Sequence, residues 1–302
     1  MEGGFCVKND FNMTDDPLSK LGDLTKPATV LIEKISDAVG GVFKPYQIVR
    51  VAKAEAEAER IREEGRIQVT DLQRRAMHRF LEEEAKRQLN IEAITKKALP
   101  LLEENSSPQD VKDDWITNFF EKSRIVSDED MQRLWSRVLA GEANKPGTFS
   151  RRTVNLLADM EKLDAELFTN VCRFVWMIGP GGVPLVFDVQ DEIYNRLAIN
   201  FTSLSHLESI GLIRFDNSFG FRRLKLAKNV TVFYYGKPVE LTLPKETNNA
   251  LDLGHVLLTQ AGSELGRICH CTPMDEFFDF VRDRWAKQSF LVKSSTSAVS
   301  KP

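Results

Sequence analysis

Residues 127–141 read SDEDMQRLWSRVLAG. An acid-rich start with Ser127 ahead of Asp128, Glu129 and Asp130 has the order of a capped helix N-terminus. Met131, Leu134, Trp135, Val138 and Leu139 then follow at i, i+3, i+4, i+7 and i+8, one apolar stripe on a helix. Gly141 is the expected C-terminal stop. Upstream, Ser107, Pro108 and Asp110 stand in helix-start order, ahead of Trp115 and Phe119 on one face with Phe120 alongside. Downstream, Pro146 and Gly147 make a turn and Ser150 caps a helix running to about Met160. Asp164 opens a further helix, whose face is Leu167, Phe168, Val171, Phe174, Val175 and Ile178. Residues 105–178 are therefore expected to form a helical bundle.

Outward on the N-terminal side, residues 46–104 are dominated by alanine, glutamate, arginine and lysine, with no proline before Pro100. An unbroken helix of that length reaches about 80 Å. Gly65 is a candidate bend. Leu72, Ala76 and Phe80 align as an imperfect seam, which fits packing against the same chain or an oligomer partner better than a regular coiled coil. Arg74, Arg75, His78 and Arg79 form a basic cluster on it. That cluster reads as a solvated face paired with neighbouring acids, or as a contact for anionic lipid or nucleic acid. Residues 17–104 are expected to hold an amphipathic helix followed by this long charged one; the amphipathic helix, over 27–43, is opened by Pro27, with Val30, Leu31, Ile35, Val39, Val42 and Phe43 on the apolar side. Such a face either docks on the core or lies in a bilayer surface. Residues 1–16 carry acids and no apolar run, unlike a signal peptide, and are expected to be disordered. The Ser-rich tail over 291–302 is expected to be disordered as well.

On the C-terminal side, the glycine-rich break at 179–182 introduces shorter elements. Strands are expected over 183–187, 231–235 and 239–243, and short helices over 191–198 and 202–210. A hairpin is expected at 218–221, a strand at 256–259 leading into a helix from Gln260, and a last helix carrying Phe277, Phe278, Phe280, Val281 and Trp285. Helix, helix, then a turn at Gly211 into strands reads as a winged-helix-like module over 179–290. The expected fold is thus mainly α over the N-terminal two-thirds, with a C-terminal α+β winged-helix-like module.

The chain has 302 residues, 42% hydrophobic and 28% charged, with a formal charge of −3. That composition suits about two folded domains and argues against a bulk polycation for nucleic acid. Four cysteines are too few for a disulfide scaffold, and Cys269 and Cys271 are too closely spaced around His270 for the usual zinc pattern. The cysteines read as reduced thiols in a cytosolic chain, with peripheral contact to the inner membrane as the sharper reading of residues 27–43. No run approaches a membrane-spanning length.

Catalytic signatures are missing: no phosphate-binding glycine loop, no serine elbow and no paired-histidine zinc motif. The glycines at 179–182 follow a helix, outside the phosphate-cradle context. His78, His206, His255 and His270 are scattered over different elements, and the acids at 113–114 and 128–130 are explained as first-turn charges. No catalytic residue, metal ligand, cofactor or small-molecule substrate is expected. A hydrolase or nuclease assembled from the scattered acids and histidines is the enzymatic alternative.

The residues Asp114-Trp115, Phe119-Phe120, 126–132, Leu134-Trp135, 139–142, Pro146-Gly147 and Ser150 resemble the signature of a bacterial domain-of-unknown-function family, over roughly residues 20–290. That resemblance implies no activity. The order of parts is also similar to the abortive-infection alpha proteins of bacterial antiphage defence, which implies defence as a lead. Two functional readings follow. The first is a non-enzymatic interaction protein that binds a protein partner or itself, with a membrane-touching N-terminal helix. The second is a winged-helix transcriptional regulator contacting DNA through Arg222, Arg223, Lys225 and Lys228. It is weakened by the lack of Arg or Lys in 202–210, which offers Ser203, Ser205, His206 and Glu208 instead.

Overall fold

The structure is a computed structural model, described here for residues 24–40, 71–288 and 290–294. The chain divides into two compact units between Thr148 and Phe149. Ten α-helices and three sets of antiparallel strands make up the described residues.

The first unit holds α1 (Lys26–Val39), α2 (Asp71–Ala98), α3 (Asp113–Ser123) and α4 (Glu129–Asn144). The period of 127–141 is realised in α4, where Met131, Trp135, Val138 and Leu139 are buried. Its cap is Asp128, one residue later than expected: the carboxylate accepts from the N–H groups of Asp130 and Met131, both at 3.0 Å. Gly141 does not stop the helix, because Ala143 is still buried and the coil continues to Asn144. The segment at Ser107 and Pro108 is a single 3-10 turn (Pro108–Asp110), and α3 begins only at Asp113. Phe119 centres the core, stacked on Trp115 (5.1 Å) and edge-on to Trp135 (5.1 Å). Leu31, Ile32 and Ile35 of α1 pack on α3, and Lys34 pairs with Asp113 at 2.6 Å.

Only the C-terminal part of α2 joins this core. Ile91, Ile94 and Ala98 are buried against α4. Among them sits a polar cluster: the Gln132 amide donates to Val126 O (2.9 Å) and Asn90 Oδ1 (3.3 Å), and accepts from Lys97 (2.8 Å). Such a buried set is tolerated because its members find partners. The expected long helix from residue 46, with its bend at Gly65, is described only from Asp71 onward; residues 46–70 lie outside the described residues, as do 1–16.

The second unit holds α5 (Arg151–Ala158), α6 (Lys162–Cys172), α7 (Glu192–Asn195), α8 (Phe201–Ser209), α9 (Gln260–Gly266) and α10 (Asp275–Lys287). Its strands are β1 (Val175–Ile178), β2 (Gly181–Pro184), β3 (Ile213–Phe215), β4 (Phe221–Leu226), β5 (Asn229–Tyr234), β6 (Lys237–Thr242), β7 (Asn249–Gly254), β8 (Val256–Leu258) and β9 (Leu291–Ser294). Five of them form an antiparallel sheet in the order β2-β1-β5-β6-β9; β3 pairs with β8 and β4 with β7. The core gathers Trp176 of β1, Tyr234 of β5 and Trp285 of α10, with Trp176 stacked on Tyr234 and edge-on to Trp285.

Several expectations change here. Residues 174–178 do not continue a helix. α6 ends at Cys172, and Trp176 and Ile178 alternate inward with Val175 and Met177 outward in β1. A continuous apolar run fits both periods, and the β-branched and aromatic content decides for strand. The division expected at 178/179 therefore runs through the β1–β2 hairpin, where Ile178 faces Gly181. The strand expected over 183–187 is β2, two residues earlier, with Val186 reduced to a single bridge to Gly254. No hairpin closes at 218–221: β3 and β4 each pair with a later strand, so the chain nests β5–β6 inside β4–β7 inside β3–β8. The C-terminal tail is not disordered from 291. Residues 291–294 complete the sheet beside β6, with Leu241 opposite Val292. Gly262 opens α9 against β3, where a Cβ would collide with the Leu212 carbonyl.

Candidate functional site

The apolar side of α1 is used internally. Leu31 and Ile35 are fully buried, so the face offered to a bilayer is the face that docks on α3. Val30 and Val39 are half-buried, and Val42 and Phe43 lie outside the described residues. Among the described residues no helix is long and apolar enough to cross a membrane.

The basic residues expected at a nucleic acid are split by the structure. Arg223 turns inward: its guanidinium donates to Ile178 O at 2.6 Å and lies over Gly179, whose φ of +66° and missing Cβ make the room. The glycine run at 179–182 thus forms the hairpin turn and the start of β2, with Arg223 on the Ile178 carbonyl just before it. Lys228 pairs with Glu246 at 2.5 Å. Arg222 is exposed and lies opposite Asp252 in the ladder, and Lys225 sits exposed on a bulge with φ of +59°. On α8, Ser203 completes a capping box with Asn200, His206 meets Asp164 at 2.6 Å, and Glu208 accepts from the Phe215 N–H at 2.9 Å. Three of the four polar residues singled out on that helix therefore serve the fold.

The carboxylates follow the same rule. Buried Glu264 of α9 accepts from the Ser150 N–H (2.8 Å), the Thr153 hydroxyl (2.5 Å) and the Gln260 amide (2.9 Å). A negative group there complements the N-terminus of α5. Asp164 accepts from the Glu161 N–H at 2.9 Å as one half of a capping box. Among the described residues no group of three or more histidines, cysteines and acids is placed to hold a metal ion. His255 bonds Asp216 O and His78 faces Glu82, far apart in sequence and on separate elements.

Three cysteines do meet, which their sequence positions did not signal. Cys172 at the end of α6 shares a hydrogen bond with Cys269, and that bond, with burial, holds its thiol well above the ordinary range. Tyr235, at the β5–β6 turn, donates to Cys271 Sγ at 2.8 Å and lies 3.3 Å from Cys172 O. Burial raises the Cys271 thiol and the Tyr235 phenol too. Raised thiols are poor nucleophiles, which argues against Cys172 and Cys271 as reactive groups.

The remaining feature is on α2. Residues 71–86 are exposed throughout, and Leu72 (69%), Met77 (65%), Phe80 (62%) and Leu81 (63%) are large apolar side chains left in water. The seam Leu72, Ala76 and Phe80 was legible in the sequence; Met77 and Leu81 widen it. The basic cluster is laced to acids of the same helix: Arg74 to Asp71 (3.3 Å), His78 to Glu82 (3.4 Å) and Arg79 to Glu83 (3.5 Å). Exposed pairs of this kind contribute about 0.3–0.5 kcal/mol each, so they support the helix without explaining its apolar stripe.

These features define, among the described residues, a two-unit protein of helices and antiparallel sheets with an apolar helix face exposed on α2. The family model for a protein of unknown function, DUF2806, matches residues 74–282. The chain belongs to the DUF2806 family. No match to it was found among curated proteins or among solved structures.

Proposed function

We propose that the protein acts by binding a macromolecular partner, and that residues 71–86 of α2 are where it binds. The observation that carries this is the stripe of Leu72, Ala76, Met77, Phe80 and Leu81 exposed on a helix whose other end is anchored in a core. Grouped apolar side chains of this size on a surface mark contact sites. The second unit serves the same end as a winged-helix-like contact module. Support comes from α8 leading through Gly211 into β3, the β3–β8 pair and α9. Ser203, His206 and Glu208 of α8, with Arg223 and Lys228, are committed internally, and only Arg222 and Lys225 of the four basic residues stay exposed without such a contact, which favours protein over DNA as what it touches.

The biological setting proposed for this binding is bacterial defence, of the abortive-infection type, on the order of parts in the sequence. A phage-challenge plating assay tests it with three chains: intact, Phe80→Glu/Leu81→Glu, and Arg222→Ala/Lys225→Ala. The intact chain and the β4 variant are expected to lower plaque numbers, and the α2 variant, folded by circular dichroism, is expected not to. Protection that survives Phe80→Glu/Leu81→Glu removes α2 as the binding surface. An intact chain without effect on plaques removes the defence role.

A further inference from the structure

The fold brings Cys172, buried at the end of α6, against the segment that follows α9. Its sulfur lies beside Gly266, the last residue of α9, where an added Cβ would sit 3.7 Å from it. Further along that segment, Cys269 shares a hydrogen bond with it. Both thiols are free, and Cys269 is only half-buried, so one member of the pair is shielded and the other reaches solvent. Cys271 is engaged differently. Its sulfur accepts from the Tyr235 hydroxyl at 2.8 Å, and its thiol points at Cys269 O, 3.7 Å away. The same hydroxyl lies 3.3 Å from Cys172 O, so Tyr235 holds the end of α6 and the segment after α9 together. Two sulfurs in hydrogen-bond contact need only a small side-chain movement to reach the about 2.05 Å of a disulfide.

We propose that Cys172 and Cys269 form an oxidative modification site, joined by a reversible disulfide when hydrogen peroxide reaches the half-exposed thiol. Cys269 takes one oxygen from the peroxide: the O–O bond breaks, the sulfur becomes a sulfenic acid and water leaves. The Cys172 sulfur then attacks the Cys269 sulfur. The S–S bond forms, the S–O bond breaks, and the hydroxyl departs with the Cys172 proton as a second water. Two thiols are oxidised and one peroxide is reduced. Burial and the shared hydrogen bond hold the Cys172 thiol well above its ordinary range, which makes it slow toward reagents in solution. Toward a sulfenic acid already in contact with it the attack is intramolecular, and proximity offsets the small thiolate population. Cys269 is thus the entry point and Cys172 the resolving thiol. The bond ties α6, which leads into β1, to the connection between α9 and α10, and closes the loop from residue 172 to residue 269. Cross-links that close long loops constrain the unfolded chain most. The oxidised chain is therefore the more stable form, and a dithiol returns it to the reduced one.

Peptide mapping of the full chain tests it. The reduced protein is treated with hydrogen peroxide, remaining thiols are blocked with iodoacetamide in urea, and the tryptic digest is read by mass spectrometry before and after dithiothreitol. The expected product joins residues 163–173 to residues 268–282, with fragment ions placing the bond on Cys269 rather than Cys271, and it disappears on reduction. Cys271→Ser is expected to keep the link and Cys269→Ser to lose it. The oxidised chain is expected to unfold at a higher urea concentration than the reduced one, a difference that Cys269→Ser abolishes. Absence of a Cys172–Cys269 link, a link carried by Cys271 in the wild-type chain, Cys269 driven to sulfinic acid while Cys172 stays free, or an oxidised chain that unfolds at no higher urea than the reduced one overturns the proposal.

Discussion

Glu264 shows how a single charged side chain in this protein is spent on architecture. It is 8% exposed, yet its carboxylate takes three hydrogen bonds, two of them from the start of α5. Glu264→Ala strands the Ser150 N–H and the Thr153 hydroxyl, and is expected to cost about 1–3 kcal/mol in urea denaturation. Gln260→Ala, which removes only one donor from the same carboxylate, is expected to cost less. Equal losses would mean that the hydrogen bonds to α5 contribute nothing. Little of this was visible in the sequence, because Glu264 and Thr153 are brought together only by the packing of α5 on α9. Asp128 is the contrary case: its capping role follows from local order, and the reading missed it by one residue because Ser127 is an equally good cap in isolation.

At the scale of elements, the cysteine cluster joins the end of α6 to the segment after α9 and the turn of β5–β6. Two of its thiols are raised, Cys172 by its hydrogen bond to Cys269 and by burial, and Cys271 by burial. A group whose folded pKa is raised stabilises the fold fully below the ordinary thiol value, about 8.5, and loses that contribution as pH rises toward and through the raised value. Thermal stability is therefore expected to decline on the alkaline side, less steeply in Cys172→Ala, and native Cys172 is expected to react with iodoacetamide far more slowly at pH 8.5 than in urea. Alkylation of the native thiol at the unfolded rate would remove the claim. Periodicity carried α4 and failed over 174–178, where every residue is apolar and only the tertiary choice of a sheet distinguishes strand from helix. The sequence could show that Cys269 and Cys271 flank one histidine, but not that Cys172 lies beside them.

Across the whole molecule, most of the side chains first considered for chemistry are employed inside one unit or the other. Leu31 and Ile35 build the first, and Arg223, Lys228 and His206 make contacts within the second. The exposed half of α2 is not employed in this way, and its seam of Leu72, Ala76 and Phe80 was legible because it needs only helical spacing. A helix without tertiary cover exchanges its amide hydrogens readily, since isolated helices of this length are marginal in water. Hydrogen–deuterium exchange of the full chain therefore tests the central claim most directly. The account predicts fast exchange over residues 71–86, left without tertiary cover, and slow exchange over residues 90–98, which are buried. Residues 71–86 protected as strongly as residues 90–98 would contradict it.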